Sequence, residues 1–190
     1  NTQIDILDSK MANASGYKAK NKVLQEELEL RKKIVQKQQD AYKQTETDAN
    51  AYYKKISSKY KKNKNDSGTI STKGVTDKTQ LKYIKTYNAY VRQLATNTLD
   101  LAKAQQEYAT SLNEAKIAMA DNIEAEYDNK LSLVDARRNQ LESEISLSEE
   151  KGQVASSKYY ELLGQNSTQR LGDLKSEKKE LEKQLSSVRM

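Results

Sequence analysis

Apolar residues recur along this chain in alternating steps of three and four, the spacing that lays a single stripe along an α-helix. The longest stripe runs Ile84, Tyr87, Val91, Leu94, Thr98, Leu101, Gln105, Tyr108, Leu112, Ala115 and Met119. Between Met119 and Leu131 the steps become four, four and four, through Ile123 and Tyr127. Such a stutter locally unwinds a supercoil. The three–four alternation resumes at Leu131, Val134, Arg138, Leu141, Ile145 and Ser148 and stops at Gly152. The pattern predicts a central helix over 77–151, on the order of 110 Å long at 1.5 Å per residue. Asp77 is its expected cap, with Gln80 reaching back to the start.

Two further helices flank it. Residues 1–56 are helix-forming almost throughout. Ile4, Leu7 and Met11 share a face, the pattern drifts near Gly16 and Tyr17, and a heptad line follows at Leu28, Val35, Tyr42, Ala49 and Ile56. The positions three residues on, Arg31, Gln38, Thr45 and Tyr52, are mostly polar, so this seam is weak but sustained. Residues 157–188 give the last helix, with a stripe at Tyr160, Leu163, Ser167, Leu171, Leu174, Lys178, Leu181, Leu185 and Val188.

The interruptions define the topology. Residues 57–76, SSKYKKNKNDSGTISTKGVT, are rich in turn formers, with a scrap of strand expected at Thr69, Ile70 and Val75. A linker this long is either functional or mobile. Residues 152–156 read as a tight turn. Gly152 closes one helix in the left-handed conformation, and Ser156 or Ser157 caps the next. So short a connection forces its two helices antiparallel. Arm lengths match: 120–151 against 157–188, and 17–56 against 78–117. The expected fold is all-α, an elongated antiparallel coiled-coil rod in which a long central helix carries a shorter helix folded back on each half. The stutter then falls where the free ends of the two shorter helices meet.

Composition agrees with this. The 190 residues include no proline, cysteine, histidine, tryptophan or phenylalanine; 32% are charged and only 35% are apolar. Without proline the commonest helix breaker is absent. Low apolar content favours thin helical packing over a large core. Lacking His and Cys, the chain lacks most metal ligands and most nucleophile–base pairs. No catalytic constellation, metal site or cofactor is expected, and the chain is read as non-enzymatic. Paired carboxylates such as Glu26/Glu27 and Glu149/Glu150 read as solvated helix surface. No apolar run approaches the roughly 20 residues of a membrane-spanning helix. The chain starts at Asn1, which reads as a piece of a longer protein.

The densest charge lies at YYKKISSKYKKNKN, with Lys54, Lys55, Lys59, Lys61, Lys62 and Lys64 uninterrupted by acid until Asp66. Two readings stand. The lysines neutralise phosphates of a nucleic acid while Tyr52, Tyr53 and Tyr60 stack on bases, or the cluster is a solvated end that suits a helix C-terminal dipole. Tyr87 and Tyr108 fall on the stripe and are expected in the core with hydroxyls reaching water.

The stretch DNIEAEYDNKLSLVDARRNQLESEISLSEEKGQVASSKYYELL resembles the helical region of tape measure (minor structural) proteins of long-tailed phages and prophages of Gram-positive bacteria. The match is carried by Tyr127, Asp128, Asn129, Leu131, Leu133, Arg138, Leu141, Glu142, Ile145, Glu149, Gly152, Ser157, Tyr159, Tyr160 and Glu161. NASGYKAKNKVLQEELEL is similar to the same family through Asn13, Tyr17, Lys20, Asn21, Leu24 and Leu28. Short side chains around Leu163, at Gly164 and Gly172, weaken the second arm against the leucine-rich pattern of that family. The resemblance implies a virion structural protein, assembled in the host cytoplasm, that fills the tail-tube lumen in several copies. It implies that the protein sets tail length and leaves before DNA passes. Its implied partners are further copies of itself and the tail-tube and tail-tip proteins, with DNA contact open and no membrane contact within this fragment. The alternative is a coiled-coil interaction or regulatory arm of a larger bacterial protein, associated with a cell-wall hydrolase or a nucleic acid. The weak seam predicts marginal stability in isolation.

Overall fold

The computed structural model describes residues 2–150 and 157–187. These residues form α1 (Thr2–Asn13), α2 (Gly16–Lys55), the four-residue α3 (Ser58–Lys61), α4 (Lys78–Glu150) and α5 (Ser157–Ser187). The architecture is all-α, with long helices packed on one another. Among the described residues there is no strand, only an isolated antiparallel bridge between Lys64 and Ile70. The helix expected over 1–56 is divided in two at Ala14–Ser15, and α2 begins on Gly16 at φ 77°. That left-handed turn is strained for any residue with a Cβ. α4 is a single helix of 73 residues. Gly152 and Ser156 of the expected turn lie outside the described residues; Ser157 opens α5.

The chain clusters into two compact units, Leu28–Ser111 and Asn1–Glu27 with Leu112–Met190. In the first, α2 and α4 run antiparallel: Thr45 meets Asn97, Tyr53 meets Tyr87 and Lys55 meets Gln80. The α2 positions follow the heptad line, with Ala49 and Ile56 buried and Val35 and Tyr42 half-buried. On α4 the stripe holds at Ile84 and Tyr87 but is displaced by one residue at two positions. Asn97 and Ala104 are buried, while the expected Thr98 and Gln105 are exposed. Asn97 explains the shift. Its amide donates to Thr45 Oγ1 at 3.0 Å and to the Ala41 carbonyl at 3.4 Å. The polar side of the α2 seam therefore takes a facing amide that can hydrogen-bond to it, which a stripe read for apolar content alone passes over.

In the second unit α4 packs against the start of α2 and against α5. Asn21 donates to the Met119 carbonyl at 3.2 Å and accepts from Asn122 at 3.0 Å. Asn166 donates to the Val134 carbonyl at 2.7 Å, and Arg170 pairs with Asp135 at 3.1 Å. With Leu181 packed on the Tyr17–Ile123–Tyr127 cluster, these contacts set α5 antiparallel to α4. The stutter residues Met119, Ile123 and Tyr127 are all buried. Each four-residue step overshoots one helical turn by about 40°, so three of them rotate the apolar face by about 120°. At Ile123 and Tyr127 the rotating face meets α2, through Tyr17, and α5, through Leu181, in one cluster.

The stripe expected on α5 packs only in part: its Leu163 and Leu181 are half-buried. Leu171, Leu174, Leu185 and Tyr160 are exposed, and Asn166 is buried. Asp173, Glu177, Glu180 and Leu181 are half-buried beside it. The partly buried face of α5 thus mixes polar groups with Leu162, Leu163 and Leu181, and Arg138, expected on the α4 stripe, is exposed.

Candidate basic interface

The linker between α3 and α4 is held by specific contacts. Ile70, 1% exposed, inserts into a cluster with Ala49, Ile56, Ile84 and Tyr87. Burial strips water from its backbone, and Asn88 replaces that water on both sides. The Asn88 Oδ1 accepts from Ile70 N at 2.7 Å, and its Nδ2 donates to Ile70 O at 2.8 Å. Tyr87 donates its hydroxyl to the Gly68 carbonyl at 3.1 Å, so the ring expected to reach water finds a backbone partner instead. Gly68 turns at φ 81°. Asn65 Oδ1 accepts from Thr69 N and from the hydroxyls of Ser67 and Thr69.

Asp77 caps α4 as its sequence suggests, accepting from the backbone of Thr79 and Gln80 at 2.8 and 3.0 Å. The Gln80 side chain does not reach back to Asp77. It crosses to the end of α2, donating to the Lys55 carbonyl at 3.3 Å and accepting from Ser57 N at 2.8 Å. The open end of α2 presents groups that a returning side chain on α4 can satisfy, and here that outcompetes the local capping box.

On this framework the lysines are placed. Lys54 and Lys55 close α2, Lys59 and Lys61 belong to α3, Lys62 is its C-cap, and Lys64 forms the bridge to Ile70. All are exposed except the half-buried Lys61. The ammonium groups of Lys55, Lys59, Lys61 and Lys64 sit over tyrosine rings. Lys55 lies 4.7 Å from the Tyr52 centroid and 5.8 Å from that of Tyr83, and Lys59 lies 5.4 Å from that of Tyr60. Lys61 and Lys64 share the Tyr53 ring, at 4.7 and 5.4 Å. The rings also pack on one another, Tyr53 against Tyr87 at 5.3 Å and Tyr52 against Tyr90 at 5.8 Å. By sequence Tyr52, Tyr53 and Tyr60 are candidate surfaces for bases. The structure commits them to lysine stems and to the core around Ile70.

The charge balance of this region is one-sided. Residues 54–85 hold ten lysines and two aspartates, a net +8 in a chain whose total is +6. None of those lysines has a carboxylate partner among the described residues, whereas Lys10–Glu26 and Arg170–Asp135 pair elsewhere.

A second concentration of titratable groups surrounds Tyr17, where Glu126 Oε2 accepts from Tyr17 N at 2.8 Å. Burial, followed by a hydrogen bond to Glu180, pushes the Tyr17 phenol up to about 12. Burial first and the charge of Glu180 second raise Tyr127 in the same direction. Glu177 is raised by burial and then by Asp128 and Glu124. The Tyr17 phenol, kept protonated, donates to Glu180 and so joins α2 to α5. Nothing in the stripe of apolar positions signals this junction; the drift near Gly16 and Tyr17 is its only trace. Among the described residues no group of His, Cys, Asp or Glu is arranged to hold a metal ion, and no helix is long and apolar enough to cross a membrane.

Compared with protein-family models, curated proteins and solved structures, the chain finds no match.

Proposed function

We propose that this chain is a structural segment of a phage tail tape measure protein. The carrying observation is α4, 73 residues of unbroken helix in which every residue adds the same rise. A ruler needs that proportionality between residue count and length. The resemblance over 121–185 supports the reading, as does the absence of proline. In this proposal α2 and α5 pack along α4 as coiled-coil arms of a rod, several copies fill the tail-tube lumen, and tube and tail-tip proteins are the partners. Polar and small contacts at Asn97, Ala104 and Asn166 hold the arms weakly, which suits a filler that must leave before DNA does.

The test is an in-frame deletion of residues 31–44 together with their facing residues 98–111 in the parent gene, with tail lengths measured by electron microscopy. Arms that stay folded in the tail predict a shortening of about 21 Å, and extended helices about 42 Å. Tails of unchanged length overturn the reading. A second reading, an interaction arm of a larger bacterial protein, is favoured by one observation, the concentration of unpaired lysine charge at residues 54–85.

A further inference from the structure

We infer that the lysine-bearing end of the α2–α4 pair is a sequence-independent binding surface for the phosphate backbone of duplex nucleic acid, with its tyrosines serving as pedestals for the lysines. The inference does not depend on the tail-length reading.

Like charges held close together repel, and a polyanion relieves that repulsion. Lys61 and Lys64 sit over one ring, so at most about 10 Å separates their ammonium groups. Lys54, Lys55, Lys59 and Lys62 occupy the adjoining turns of α2 and α3. No described carboxylate neutralises any of them. A duplex, with one negative charge per about 1.7 Å of axis, is the anion of matching density.

The kind of residue narrows the mode of contact. Residues 54–85 contain no arginine, the side chain whose planar fork reads guanine edges. Lysine is a point charge suited to phosphates. The rings are covered by lysines and by one another, so stacking on unpaired bases is disfavoured. A lipid surface fits less well. The exposed large apolar residues, such as Leu99, Ile117 and Leu133, all lie outside this region, which leaves nothing to insert beneath headgroups. Order also matters. The Asn88 clamp on Ile70 and the cation–π contacts hold the lysine stems before any partner arrives, which lowers the entropy lost on binding.

The experiment titrates the full chain with a 20-base-pair fluorescent duplex of random sequence between about 50 and 200 mM salt. Four to five phosphate contacts predict a slope of log K on log salt near −4, at about −0.9 per phosphate. Substituting Lys54, Lys59, Lys62 and Lys64 together by glutamine should flatten the slope by about 3 to 4 and weaken low-salt binding at least about 30-fold, with helical circular dichroism unchanged. Tyr53→Leu, which alters no charge, should weaken binding several-fold by releasing Lys61 and Lys64. Glutamines at Lys175, Lys178 and Lys179 should leave the slope as it was. No duplex binding at 50 mM salt overturns the inference. So does an equal loss from the α5 substitutions, tighter binding to an oligo-dT strand than to duplex, or capture by phosphatidylglycerol vesicles in preference to DNA.

Discussion

Asn88 holds Ile70 by both of its backbone groups, accepting from the amide at 2.7 Å and donating to the carbonyl at 2.8 Å. One side chain on α4 thereby closes a linker of some twenty residues against the helix pair. The mechanism is solvent replacement. Ile70 contributes its apolar side chain to the cluster only if its peptide groups find partners other than water.

Replacing Asn88 by Leu removes both partners and leaves a buried donor and acceptor unpaired. The expected loss is about 2 to 4 kcal/mol, read as a lower urea midpoint at unchanged slope. Amide exchange at Ile70 should accelerate in parallel. Asn88→Asp keeps an acceptor but faces the Ile70 carbonyl with a charge, so it should not rescue. A loss below about 0.5 kcal/mol, the range of indifferent surface changes, would show that the clamp is dispensable.

Asn97 is a buried amide in an otherwise replaceable place. Thr45 Oγ1, which it contacts, already donates to the Ala41 carbonyl at 2.9 Å, and Gln93, which donates to Asn97 at 3.0 Å, is exposed, so removing the amide leaves no buried group unpaired. Asn97→Leu should therefore stabilise by about 1 kcal/mol through apolar burial. For a chain this size that is a rise of roughly 2 to 4 °C in Tm. A drop would mean that the amide sets the register of α2 on α4 and that Leu cannot keep it.

The Tyr17 phenol, pushed up to about 12 from 10.0, prefers its neutral form in the folded chain. Its stabilising contribution is complete below pH 10 and is lost as pH rises from 10 toward 12. Stability should fall across that window, and Tyr17→Phe should flatten the fall while lowering stability at neutral pH by the lost hydrogen bond to Glu180. Phenolate absorbance followed against pH checks the late titration directly.

Glu177 is also raised from its ordinary 4.5, so its favourable contribution is present in acid and lost as pH rises above the carboxylate range. Glu177→Gln removes the charged form and should raise stability at pH 7. The gain should vanish at pH 3, where the native carboxyl is already protonated. A gain of the same size at both pH values would assign the effect to packing.

Leu141 and Leu171 separate the two faces of the α4–α5 pair. Leu141 is 1% exposed and Leu171 53%. Leu141→Ala should cost about 2 to 5 kcal/mol, and Leu171→Ala less than about 0.5 kcal/mol, both by chemical denaturation at low protein concentration. Comparable losses would show that α5 presents its leucines to α4 in solution.

The sequence by itself determined where the long helices form, though not the break at Ala14–Ser15 or the short α3. Proline-free runs of three–four spacing make α2, α4 and α5, because a period of 3.6 residues is a local property that the backbone enforces. Asp77 as cap and the basic character of residues 54–64 were equally legible. What faces what was decided by tertiary structure. Asn97, Asn88, Asn166 and Tyr17 are polar, so a search for apolar stripes passes them by, yet each is buried where a specific backbone or side-chain partner is offered by a residue distant in sequence. Conversely, Leu171, Leu174 and Leu185 form a good stripe that stays exposed. Periodicity specifies only that a face exists. Which face is buried depends on the hydrogen-bonding and apolar groups that the opposing helix brings to it, and those are fixed only when the chain has folded back.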